Sequence, residues 1–130
     1  IILSTGSVIM EKVVLNMLKL FLINAKENNI LEVNENELRE NFKKFKSSEK
    51  YGKYFYSYIY DEDGYCMKFE KELNTLIKNK QISKYNEYLY IYNIDTSCKT
   101  HYSKELNSIV IQMVSDYIKL NMEKEKVKII

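Results

Sequence analysis

The chain has 130 residues, 45% of them hydrophobic and 29% charged, which excludes a disordered polymer and allows one buried core without disulfide or metal staples. A formal net charge of +2 excludes a sequence-wide basic excess, so any nucleic-acid contact has to rest on local charge. One histidine and three glycines supply neither a base and nucleophile pair nor a phosphate loop, and the expectation is a non-catalytic protein that needs no cofactor.

The first predicted helix runs from about Ser7 to Asn28, with Ser7 in the cap place and Asn28-Asn29 at its end, where Asn tolerates a left-handed conformation. Val14, Leu15, Met17, Leu18, Phe21, Leu22 and Ala25 cover more than one face, so this helix is expected to pack on two sides. Glu11, Lys12, Asn16 and Lys19 interrupt the apolar run too often for a membrane span, and neither a basic leader nor a small-residue cleavage site marks a secretory signal. Two cysteines, Cys66 and Cys98, suit reduced thiols better than a disulfide framework, which with the preceding point predicts a cytoplasmic protein. Met10 is a candidate initiator, making residues 1–9 an upstream or cloning-derived leader to a single domain within 1–130.

Ile30 to Val33 is short and partly β-branched, a candidate strand. Asn34 followed by Glu37 has capping-box spacing, and Leu38, Phe42 and Phe45 give the apolar face of a second helix ending near Lys46. Residues 47–65 carry two overlapping patterns: Tyr54 to Tyr60 alternates like a strand, while Tyr51, Phe55, Tyr58 and Ile59 fit helical spacing. Helix, capped by Ser48, is the preferred reading, with Asp61 to Gly64 as a turn whose following residues do not fit a calcium loop.

Phe69, Leu73, Leu76 and Ile77 then place an apolar stripe on one face of a third helix. After Lys80 the period becomes two-fold over Gln81 to Tyr85 and Tyr88 to Asn93, with Leu89 and Ile91 on one side and Tyr88, Tyr90 and Tyr92 on the other. Asn86-Glu87 joins the halves as a hairpin turn. Ile94 to Thr100 reads as a polar loop. Ser103 caps a long last helix, about residues 103–126, apolar through Leu106, Ile109, Val110, Met113, Val114, Tyr117 and Ile118. That helix is expected to make a homodimer, the alternative being that it packs back on the first helix. The fold class is therefore α+β, mostly helical, with a small β-hairpin and a long C-terminal helix.

Basic charge is concentrated in two places. Lys43 to Lys53 holds five lysines against one glutamate, +4, and Lys78 to Lys104 five lysines against Glu87 and Asp95, +3, while Asp61 to Glu72 sums to −3. Arg39 is the one arginine among twenty basic residues, in a chain whose abundant Asn, Ile, Lys and Tyr resemble an AT-rich coding bias. Cys98 and His101, with Cys66 or Asp95, lack a complete zinc-ligand set, and no metal is expected. Eleven of the twelve tyrosines lie between Tyr51 and Tyr102, which suits a protein interface better than base stacking.

Helix, short strand, helix, further helix and hairpin over Val8 to Asn93, about two thirds of the chain, resembles the winged-helix DNA-binding superfamily. The run LNTLIKNKQISKYNEYLYIYN looks like a recognition helix leading into a wing. The resemblance implies double-stranded DNA as partner and a role in transcription regulation or in plasmid or mobile-element maintenance or transfer. It places Lys68, Lys71, Glu72, Thr75 and Lys78 toward the major groove, and Lys43, Lys44, Lys46, Lys50, Lys53 and Lys84 on phosphates. Glu70, Glu72 and the Asp61 to Asp63 run would oppose such contact. Asp63 to Ile82 is also similar to the SocA-type antitoxin (Panacea) domain, without its Gly-Pro ahead of the helix, and this implies the alternative, a protein-interaction module such as an antitoxin or adaptor using Tyr88, Tyr90 and Tyr92.

Overall fold

A computed structural model describes the backbone of residues 17–129 and the side chains of residues 17–121. The expected Ser7 cap, the burial of Val14 and Leu15, and the leader ahead of Met10 lie outside the described residues.

Helix α1, Met17–Glu27, is buried along nearly its whole circumference: from Met17 to Ala25 only Lys19 retains substantial exposure. It ends as its sequence predicts. Asn29 takes φ 63, which lets Ile30 N–H reach the Ala25 carbonyl at 3.0 Å and Asn29 N–H the Lys26 carbonyl at 2.9 Å, satisfying two of the last free carbonyls. Strand β1, Glu32–Asn34, leads directly into helix α2, Glu35–Ser47, whose Asn34 cap accepts Glu37 N–H at 3.0 Å. Leu38, Phe42 and Phe45 are buried, the two phenylalanines against Phe21 of α1.

Residues 48–65 form neither the predicted helix nor a strand. Ser48 does not cap a helix start: its Oγ accepts the N–H groups of Lys50 and Tyr51 in a turn that follows α2, and the chain beyond makes one short 3-10 helix, Gly52–Phe55, which begins at Tyr51 without a side-chain cap, and then turns. This form is held by Lys46, whose Nζ donates to the carbonyls of Phe55 at 2.8 Å and Tyr56 at 3.2 Å. Tyr51, Phe55 and Tyr58 are buried as helical spacing suggests, whereas Ile59 is 75% exposed because the helix needed to turn it inward never forms. Gly52 sits so close to α2 that a Cβ would lie 2.8 Å from the Lys46 carbonyl oxygen. Gly52→Ala is therefore expected to cost about 1–3 kcal/mol, the usual range for overpacking against rigid backbone. An unchanged urea midpoint would show that the loop simply moves away.

The Asp61 to Gly64 turn is closed by Asp61 Oδ1, which accepts the N–H groups of Asp63 and Tyr65, with Gly64 at φ 82. Helix α3, Met67–Lys78, then buries Phe69, Leu73 and Leu76. It stops at Lys80, φ 61, through the same pair of bonds that ends α1: Gln81 N–H to Leu76 and Lys80 N–H to Ile77, each at 3.0 Å. Strands β2, Ser83–Tyr85, and β3, Tyr88–Tyr90, make the hairpin, turning at Asn86 with φ 55.

The three strands form one antiparallel sheet in the order β1-β3-β2, with Val33 opposite Leu89 and Lys84 opposite Leu89 on the other side. Leu89 and Ile91 face the core, and Tyr85, Tyr88 and Tyr92 face solvent, as the two-fold period requires. The order helix, strand, helix, helix, hairpin is compatible with a winged-helix-like arrangement. A second 3-10 helix, Thr96–His101, is started by Asp95, and helix α4, Lys104–Ile129, by Ser103, whose Oγ accepts Leu106 N–H at 3.1 Å. The apolar side of α4 packs on α1 through residues including Leu106, Val110, Met113, Val114 and Tyr117, the last edge-on to Phe21 at 5.8 Å. No helix among the described residues is long and apolar enough to cross a membrane.

Candidate nucleic-acid interface

Burying Phe69, Leu73 and Leu76 fixes which residues α3 turns outward. Lys71, Asn74, Thr75 and Lys78 are exposed at i, i+3, i+4 and i+7, a continuous stripe along the helix. Thr75 Oγ1 donates back to the Lys71 carbonyl at 2.9 Å, which leaves the hydroxyl oxygen free to accept. Asn74 escapes a search of the sequence for cations, although its spacing from Lys71 and Lys78 marks it. Lys19, in the sequence only a charge that interrupts an apolar run, is brought by the fold beside α3: it is the one charged residue in the buried stretch of α1, and it lines a groove of about 330 Å³ with Lys71, Glu72, Thr75, Leu76, Asn79 and Gln81.

The two glutamates expected to repel phosphate from this helix do not face outward as free charges. Glu70 is gripped by both arms of Arg39, Nε to Oε2 at 2.8 Å and Nη2 to Oε1 at 2.7 Å. The Glu70 bond, against a smaller opposing effect of burial, pushes the Arg39 guanidinium further above its already high range. Glu72, predicted on the outward face, is instead turned inward. Its Oε2 accepts from the Tyr58 hydroxyl at 2.6 Å and from Leu18 N–H at 3.2 Å, and Oε1 is shut off from solvent with no hydrogen-bond partner among the described residues. Burial raises its carboxyl to about 8, and the bonds from Tyr58 and Leu18 and the Lys68 charge only partly counter this, so Glu72 is mostly neutral at pH 7. Tyr58, buried beside it, is pushed well above the ordinary phenol range by the same loss of water and by the carboxylate.

The lysines expected at the DNA, in the groove or on phosphates, divide into two groups. Lys43, Lys44, Lys71 and Lys78 are exposed, as are Lys50 and Lys53, which lie against the rings of Tyr51 and Tyr54. Those two tyrosines donate to Asp116 and Glu105 of α4, so Lys50 and Lys53 belong to the α4 side of the molecule. Lys46, Lys68 and Lys84 have internal partners: Lys46 the two carbonyls already described, Lys68 the Ser57 hydroxyl at 2.6 Å, and Lys84 the Glu35 carboxylate at 2.9 Å. For Glu35 burial raises the carboxyl, but the bonds from Arg39 and Lys84 outweigh it and hold it below its ordinary range. Asp61, Glu62 and Asp63 are exposed ahead of α3, so the positive character of the stripe grows toward its C-terminal end.

On the outer face of the hairpin the tyrosines gather. Tyr85, Tyr88 and Tyr92 are exposed, and the rings of Tyr90 and Tyr92 stack at 5.9 Å with 14° between planes. Among the described residues no group of three His, Cys, Asp or Glu side chains is placed to hold a metal ion. Comparisons with protein-family models, with curated proteins and with solved structures give no match.

Proposed function

We propose that this chain is a small winged-helix-like domain that binds double-stranded DNA, with α3 in the major groove and the β2–β3 hairpin as the wing. The observation that carries the reading is the outward stripe of α3. It offers two cations, an amide and a hydroxyl, the groups that bind phosphates and base edges, while of its two glutamates Glu70 is ion-paired and Glu72 is turned inside. Within this reading Lys71 and Lys78, with Lys43 and Lys44, contact phosphate, and Asn74 and Thr75 face the bases. Regulation of transcription, or plasmid or mobile-element maintenance or transfer, are the roles such a domain would serve.

Replacing Lys71 and Lys78 together by alanine is expected to weaken binding to duplex DNA at least tenfold and to make its salt dependence shallower by about two phosphate contacts. The urea midpoint should stay put, since both side chains are exposed. Unchanged affinity would remove α3 from the interface. A dimer belongs to the same proposal, because two copies would set two α3 stripes on successive turns of one duplex face. Light scattering should then give twice the 15.6 kDa chain mass.

The tyrosine face favours a second reading. Exposed aromatic residues with hydroxyl tips are the usual anchors of protein interfaces, and Tyr85, Tyr88 and Tyr92 would serve an antitoxin or adaptor without any DNA. Substituting all three by serine would abolish partner binding in that case; in the first it would leave DNA binding in place, with the salt slope set by the lysines unchanged.

A further inference from the structure

The single arginine of the chain occupies the position where three elements of the proposed DNA-binding surface meet. Arg39, on α2, holds Glu70 of α3 with a two-pronged grip at 2.7 and 2.8 Å and reaches Glu35 at the start of α2 with Nη1 at 2.7 Å. Glu35 in turn pairs with Lys84 of β2 at 2.9 Å, and its backbone N–H donates to the Glu87 carbonyl in the hairpin turn at 2.8 Å. The guanidinium also lies over the Phe69 ring, 5.9 Å from its centre. A continuous strap therefore runs from recognition helix to wing: Glu70, Arg39, Glu35, Lys84.

A lysine cannot make this connection. Its ammonium is one point charge on a flexible stem, whereas the guanidinium presents donors in a fixed plane that matches a carboxylate on one side and leaves another N–H for a second acid. In a chain that uses lysine at nineteen of its twenty basic positions, the exception stands where fork geometry is required.

We propose that Arg39 is a positioning residue: through Glu70 on one side and Glu35 and Lys84 on the other, it fixes the angle between α3 and the hairpin so that both meet one duplex. The inference rests on the DNA-binding reading for its purpose, but the strap itself is a property of the free protein. Arg39 is one-third exposed, three of its five N–H groups bind the carboxylates of Glu70 and Glu35, and those two acids match its charge, so within this proposal it acts through other residues.

The test uses the full chain and the variants Arg39→Gln and Arg39→Lys, each checked for folding by far-UV circular dichroism. Without DNA, hydrogen exchange of the β2–β3 amides should quicken about tenfold in Arg39→Gln while the α1 amides keep their protection, the local loosening expected when one tie is cut. With mixed-sequence duplex DNA, affinity should fall about tenfold in both variants at an unchanged salt slope, because lost preorganisation lowers affinity without removing a phosphate contact. A slope shallower by about one would make Arg39 itself a phosphate ligand and overturn the proposal. Unaltered exchange in the hairpin would overturn it whether or not DNA binds. If wild-type protein binds no DNA but the exchange result holds, the DNA reading fails and the strap stands.

Discussion

Replacing Phe42 by alanine is expected to remove about 3–5 kcal/mol of folding stability, the upper range for truncating a buried aromatic residue. Phe42 is fully buried and touches three other rings edge-on: Phe21 of α1 at 5.3 Å, Phe55 of the Gly52–Phe55 helix at 5.4 Å and Phe69 of α3 at 5.3 Å. Each such pair contributes about 0.5–1.5 kcal/mol beyond the area it buries. The neighbours belong to three separate segments, so the space left by the ring cannot be filled by one side chain swinging over. Urea unfolding at constant m would read the loss; a value below about 1.5 kcal/mol would mean that the surrounding segments close the gap. Phe42→Leu should cost less than Phe42→Ala, since most of the volume is kept.

The second large effect depends on pH. Unfolded, Glu72 ionises near its ordinary 4.5; folded, it does so near 8. Between these values the folded chain holds a proton that the unfolded chain has released, so stability falls as pH rises from about 4.5 and the loss is complete only above 8. At about 1.36 kcal/mol for each unit, the full shift would correspond to nearly 5 kcal/mol; relaxation of the site toward water should reduce the observed loss to about 2–4 kcal/mol. Glu72→Gln mimics the neutral carboxyl and cannot ionise. Its stability should match wild type near pH 5 and exceed it by that amount at pH 9. Glu35 works in the opposite direction: it is held below its ordinary range, so its contribution is lost as pH falls through the acid range. Taking the difference between variant and wild type cancels that contribution. Parallel pH profiles for the two proteins would show that Glu72 ionises like an exposed acid and would return its negative charge to the α3 surface.

Where local chemistry decides, the structure follows the sequence closely. Asn34 caps α2, Ser103 caps α4, and Asn29 and Asn86 take the left-handed conformation that their side chains tolerate. The apolar stripe of Phe69, Leu73 and Leu76 predicts which side of α3 is buried, and hence the outward stripe. Where two periods overlap, between Ser48 and Tyr65, the sequence does not choose. The outcome is set by Lys46, whose ammonium binds two carbonyls of the loop, and by the close approach of Gly52 to α2. Long-range partners are equally out of reach. A helical wheel puts Glu72 next to Lys71 and Lys68 and therefore outside, but Tyr58 and the Leu18 N–H, 14 and 54 residues away, supply the donors that draw it in. Lys84 is 49 residues from Glu35, and no spacing rule connects them. The long α4 is readable as a helix, whereas its packing on α1 is a tertiary fact that its own periodicity does not contain.

The most direct test of the DNA reading is equilibrium binding of the wild-type protein to mixed-sequence duplex fragments over a salt series. The account predicts binding at about 50 mM salt, with log affinity falling linearly against log salt at a slope of about −0.9 for each phosphate held by Lys43, Lys44, Lys71 and Lys78. No binding at that salt, or an affinity that salt does not change, would contradict it.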